Sequence, residues 1–148
     1  ENCTVKELEL LHVAALWHDT GYVNIYNGHE EESCRLTKQY LPQYGYTTDD
    51  INTVCSMIMA TKIPQSPQNK LEEILADADL EYLGTKDAGL KADLFFKELQ
   101  HLNPVLTKAE WDKTQVSFLK QHKYFTRCCR EQKEPAKLKY LAELISNS

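Results

Sequence analysis

Ala14-Ala15-Leu16-Trp17-His18-Asp19-Thr20-Gly21-Tyr22 decides the reading of this chain, because an apolar run of helical character ends there in two adjacent side chains able to ligate a metal. Upstream, Val5, Leu8, Leu11, Ala15 and Leu16 recur at spacings of three and four, which predicts a helix with that stripe buried. Thr4-Val5-Lys6-Glu7 has the form of a capping box at its start, and Gly21 is expected to stop it in the left-handed conformation. His18 and Asp19 lie about 100° apart around the turn, so both can touch one ion only if it sits close to the helix end. Taken alone, a His-Asp dipeptide more simply ends a helix in solvent.

Working outward, a second segment changes that balance: Leu71-Glu72-Glu73-Ile74-Leu75-Ala76-Asp77-Ala78-Asp79-Leu80-Glu81-Tyr82-Leu83-Gly84. Leu71, Ile74, Leu75, Ala78 and Leu83 are expected to form its inward face, and Asp79, four residues after Leu75, falls on or beside it. A buried carboxylate without partners is costly, so Asp79 needs a cation or several donors. Asp77 is about 200° around the helix from Asp79 and is expected in solvent or in a supporting role. The Glu72-Glu73 pair reads as a solvated face complementing the helix dipole.

These residues, with His29-Glu30-Glu31 and Ser33 between them, resemble the HD-domain superfamily of metal-dependent phosphohydrolases over about Leu8 to Gly84. The resemblance implies an all-α, multi-helix bundle and a divalent metal held by His18, Asp19 and Asp79. His29 corresponds to a further histidine that some members use for a second metal or for substrate phosphate. The family's first histidine comes from a helix upstream of the dipeptide, and no residue of this chain matches it. His12 is six residues from His18, about 240° around the helix, and is expected to be packed or at the surface. The expected organisation is therefore one HD-like helical domain over 1–148 that lacks an N-terminal helix.

The remaining sequence is punctuated helix. Asn27-Gly28-His29-Glu30 opens a helix that Leu41-Pro42 closes, and Thr47-Thr48-Asp49-Asp50 caps the next, with Ile51, Val54, Cys55, Ile58 and Met59 inward. Residues 62–69 form a loop because two prolines interrupt it. Further helices follow over 86–102 through Leu90, Leu94, Phe95 and Leu99, and after the capping box Thr107-Lys108-Ala109-Glu110, with Trp111, Val116, Phe118 and Leu119 as its apolar residues. A last helix starts near Pro135 with Leu138, Leu141 and Ile145 as its stripe. No strand pair stands out.

Composition narrows the function class. A length of 148 residues, 42% hydrophobic and 26% charged, suits one sizeable core. The net charge of -5 and pI near 5.5 argue against general nucleic-acid or anionic-membrane binding, since both would be repelled at long range. Cys3, Cys34, Cys55, Cys128 and Cys129 have no metal-type spacing and read as reduced thiols of a cytoplasmic protein. Neither a membrane span nor a signal peptide is expected.

Mixed His and Asp ligation favours Mn²⁺, Fe²⁺, Co²⁺, Ni²⁺ or Zn²⁺ over Ca²⁺, with Mg²⁺ also in play for a phosphate ester. Such an ion lowers the pKa of a bound water and neutralises charge on phosphoryl oxygens. Asp19 and His29 are the candidate catalytic residues; His29, at a helix start, could bind phosphate or protonate a leaving oxygen. Lys62 and Arg127, cations at element ends, are candidate phosphate contacts. Tyr22 and Tyr26 flank the site and read either as packing aromatics or as a base-stacking pair. Two functions are expected to compete: hydrolysis of a nucleotide or other small phosphate ester by metal-activated water, and an inactive HD-like module that binds a phosphorylated molecule or a partner protein.

Overall fold

The computed structural model describes residues 1–146, and every regular element among them is helical. The expected all-α class therefore holds. Eight α-helices follow in order: α1 Val5–Trp17, α2 His29–Tyr40, α3 Thr48–Thr61, α4 Lys70–Asp79, α5 Ala88–Leu102, α6 Lys108–Gln121, α7 Arg127–Gln132 and α8 Glu134–Ser146. Single 3₁₀ turns stand at Thr20–Val23, Leu41–Tyr44 and Glu81–Gly84. No helix among the described residues is long and apolar enough to cross a membrane. Contacts divide the chain into two compact units, Glu1–Asp79 and Leu80–Ser148.

In the first unit α3 is the central helix and packs on α1, α2 and α4. Its start is the expected one: Thr47 accepts the Asp50 N–H while the Asp50 carboxylate accepts the Thr47 N–H, so two donors left over at the helix end are paired. Ile51, Val54, Cys55 and Ile58 are buried as expected; Met57 is fully buried and Met59 only partly. Leu10, Leu11, Ala14, Cys34, Leu41 and Leu75 close the core around them.

The rotation of α1 differs from expectation. Its capping box forms, with Thr4 accepting the Glu7 N–H. But Val5 is 86% and Leu16 77% exposed, with Leu8 and Ala15 exposed too, while Leu10, Leu11 and Ala14 are buried and Trp17 packs against them. Apolar residues lie almost all round this helix, and the stripe through 7, 10, 11, 14, 17 and 18 is the one that faces α3 and α4. His18 falls on that buried stripe.

Two further expectations fail nearby. Gly21 does not stop α1 in a left-handed conformation; the positive-φ glycines are Gly28 and Gly45. The helix end is instead tied by side chains, Thr20 Oγ1 donating to the Trp17 carbonyl at 2.8 Å and His18 Nδ1 reaching the Ala15 carbonyl at 2.8 Å. In the segment 71–84, Leu75 and Leu83 are buried and Leu71 and Ile74 pack on the core as expected, but Ala78 is exposed and Asp77, 1% exposed, is buried rather than in solvent. Glu72 is also buried, because its carboxylate accepts the Gln68 N–H and the Asn69 side-chain amide, both at 2.7 Å, so it caps its own helix from within.

In the second unit Leu80, Leu83, Leu119 and Leu141 form the core, with Tyr124 donating its hydroxyl to the Leu80 carbonyl at 3.0 Å. The Thr107 capping box starts α6, and Trp111 stacks on Phe96 and meets Phe95 edge-on. The expected stripes of α5 and α8 are largely outside: Leu90, Leu94, Leu138 and Ile145 are exposed. On α8 the inward position is taken by Lys137, 0% exposed, whose ammonium is matched by the His122 carbonyl at 2.7 Å and Glu134 at 2.8 Å. A lysine stem is apolar, and once its charge is paired the residue packs like a long aliphatic chain.

Candidate metal centre

The candidate site lies wholly in the first unit, at the C-terminal ends of α1 and α4 and the N-terminus of α2. Its spacing is set by backbone. Gly21 in the turn after α1 sits so close to α2 that an added Cβ would stand 2.0 Å from the His29 carbonyl oxygen, so no other residue fits there without moving α2. Ser33, fully buried one turn into α2, locks the same contact: its hydroxyl accepts the Gly21 N–H at 2.8 Å and donates to the His18 carbonyl at 2.7 Å. Gly28, at φ 79°, supplies the left-handed residue from which α2 starts. His18-Asp19 and His29 are thereby held side by side.

Four of the sequence candidates converge. His18 Nε2 lies 3.3 Å from Asp19 Oδ2 and 3.5 Å from Asp79 Oδ1, and His29 Nε2 lies 3.5 Å from Asp19 Oδ1. In both rings Nδ1 faces inward protein groups, the Ala15 carbonyl for His18 and the Tyr26 carbonyl and Glu30 carboxylate for His29, so Nε2 is the atom turned to the site. Tyr22 stacks on the His29 ring at 3.7 Å and 16°, which makes it a packing residue for that histidine; Tyr26 is tilted against Tyr22 at 5.4 Å.

Asp79 hydrogen-bonds His18 and, against the opposing effect of burial, raises its pKa to about 9; the Asp19 charge and the Ala15 carbonyl add to the rise. Where Asp79 was expected to need a cation or several donors, the His18 imidazolium itself supplies positive charge.

The distances also test whether the donor set suits an ion. Two ligand atoms on one first-row cation at about 2.1 Å are separated by roughly 3.0–3.4 Å, and the edges here are 3.3 and 3.5 Å. Two imidazoles and two carboxylates are also the right donor types for such a cation. Among the described residues, however, no group of three or more His, Cys, Asp or Glu side chains is arranged to hold a metal ion. Asp19 turns one oxygen to each histidine instead of presenting both ligands to one point, as a carboxylate does beside an imidazolium.

The two proposed phosphate contacts fall differently. Lys62, the residue closing α3, forms an ion pair with Glu31 in the first turn of α2, two residues from His29, and that lysine holds the Glu31 carboxyl below its usual range. Arg127 begins α7 in the second unit and pairs with Glu131 at 2.7 Å. His12 is exposed, as expected. Sequence reasoning gave no role to the Gly21 contact, the Ser33 bridge or the buried Glu30 behind His29; a small residue two positions after His-Asp and a serine one turn into the next helix were the available signals. No family model, curated protein or solved structure matches this chain.

Proposed function

We propose that the first unit is an HD-type phosphohydrolase centre, in which His18, Asp19 and Asp79 hold a divalent cation and His29 stands at its rim. The observation that carries this reading is the contact of His18 Nε2 with both Asp19 and Asp79, made by a ring whose other nitrogen is anchored on the Ala15 carbonyl. When bound, the cation would supply an activated water and neutralise phosphoryl charge. The chain's own part is then orientation and proton control. Ala15 fixes the His18 tautomer, Ser33 and Gly21 set the distance to His29, and Glu30 behind His29 orients its ring, which would contact phosphate or pass a proton to the leaving oxygen. Lys62, beside Glu31, adds positive charge near the start of α2. The substrate class is a nucleotide or another small phosphate ester, and the expected location is the cytoplasm.

A second reading is favoured by one observation, the absence of an assembled three-ligand group among the described residues: a catalytically inactive module that binds a phosphorylated molecule or a partner protein. The two separate on the purified full chain, by metal content and by hydrolysis of a generic phosphodiester with and without Mn²⁺. The enzyme reading expects about one metal per chain and turnover that Asp79→Ala abolishes. Neither metal uptake nor turnover at any Mn²⁺ concentration overturns it.

A further inference from the structure

Cys34 on α2 and Cys55 on α3 meet where the two helices pack, and both are 7% exposed. Their contact is reciprocal: Cys34 Sγ approaches the Cys55 carbonyl at 3.5 Å and Cys55 Sγ approaches the Cys34 carbonyl at 3.7 Å. Each sulfur therefore lies against the other residue's backbone, and the two thiols hydrogen-bond each other, so the pair is in direct contact across the helix interface.

We propose that Cys34 and Cys55 are a redox-active dithiol that closes into a disulfide between α2 and α3 when the chain meets a peroxide. Cys55 is taken as the attacking thiol and Cys34 as the resolving one. The Cys34 thiol hydrogen-bonds Cys55 and draws its pKa down, with Lys38 helping against burial, while the same bond and burial push Cys34 up. Cys55 is the thiolate that attacks. Its sulfur takes one OH from the peroxide, the O–O bond breaks and the second oxygen leaves as hydroxide, which becomes water with the proton the Cys55 thiol gave up on ionising, leaving a sulfenic acid on Cys55. The Cys34 sulfur then attacks the Cys55 sulfur, the S–O bond breaks, and the hydroxide leaves as water with the Cys34 proton. Each sulfur gives up one electron and the peroxide takes two.

The bond ties α2 to α3 one residue beyond Ser33, the hydroxyl that bridges Gly21 and His18. The proposal does not depend on the metal reading, and its test needs no activity. The full chain is treated with dilute hydrogen peroxide, unfolded in the presence of an alkylating agent, and mapped by peptide mass. The expected result is a linked Cys34–Cys55 peptide, lighter by two hydrogens and released by dithiothreitol, with the thermal midpoint raised by at least about 5 °C. If both cysteines are recovered alkylated at a dose that oxidises Cys128, the proposal is overturned. Single variants check the order of attack. Cys34→Ser is expected to leave a sulfenic acid trappable on Cys55; if Cys55→Ser is instead the variant that traps one, on Cys34, the assigned roles are wrong.

Discussion

Between Asp19 and Asp79 the charge is carried by a side chain that can lose it. His18 titrates near 6.5 when unfolded and about 9 in the fold. Because the folded value is the higher one, the stabilisation is complete below pH about 6.5 and is lost as pH rises through about 9. Urea unfolding at pH 6 and pH 9.5 should therefore show lower stability at the alkaline end, and Asp79→Asn should remove most of that difference. Metal affinity must run the opposite way, since a cation needs the neutral ring: Mn²⁺ binding, followed by calorimetry, is expected to strengthen with pH across the same interval. The Ser33 hydroxyl is equally specific in its demand. Ser33→Ala strands a buried N–H and a carbonyl, at a cost of about 1–3 kcal/mol in chemical denaturation.

At the scale of elements, the capped starts of helices were readable in the sequence and the rotation of α1 was not. A capping box is a contract between residues three apart, so Thr4-Glu7, Thr47-Asp50 and Thr107-Glu110 carry their own evidence and all three form. Thr47→Ala should cost about 1 kcal/mol, read from the urea midpoint. Which face of α1 turns inward depends on α3 and α4, and with Val5, Leu8, Leu10, Leu11, Ala14 and Leu16 spread around the helix the spacing alone allowed two stripes. The acids of α4 misled for a similar reason: Glu72 is buried because loop donors come to it. The His-Asp and Asp79 candidates were legible only when the two segments were read together, since the dipeptide alone is an ordinary helix end; the device that spaces them from His29 was hidden, since Gly21 betrays nothing until its neighbour is seen. Gly21→Ala should cost about 2 kcal/mol or more, or displace α2, and lower the melting temperature accordingly.

For the molecule as a whole, the four converging residues belong to one compact unit, so a bound cation would act on the stability of that unit directly. At a Mn²⁺ concentration about one hundred times its dissociation constant, the gain is about 2.7 kcal/mol. Hydrogen exchange is the measurement that localises it: amides of α1, α2 and α4 nearest the site are expected to slow when Mn²⁺ is added, and uniform rates would contradict the site. The overall charge of -5 sets a background against which any phosphate ligand must be held by local cations such as Lys62.

The close seat of Gly21 under His29 also orders events in time. Those two residues are eight positions apart, and Ser33 is twelve beyond Gly21, so the half of the site that joins His18, Asp19 and His29 closes a short loop. Asp79 is 60 positions beyond Asp19 and arrives only when α4 docks on α3. Closing the longer loop costs more chain entropy, so the histidines and Asp19 are expected to gather before Asp79 joins them. In kinetic terms, a destabilising change at Gly21 should slow folding, whereas one at Asp79 should mainly speed unfolding.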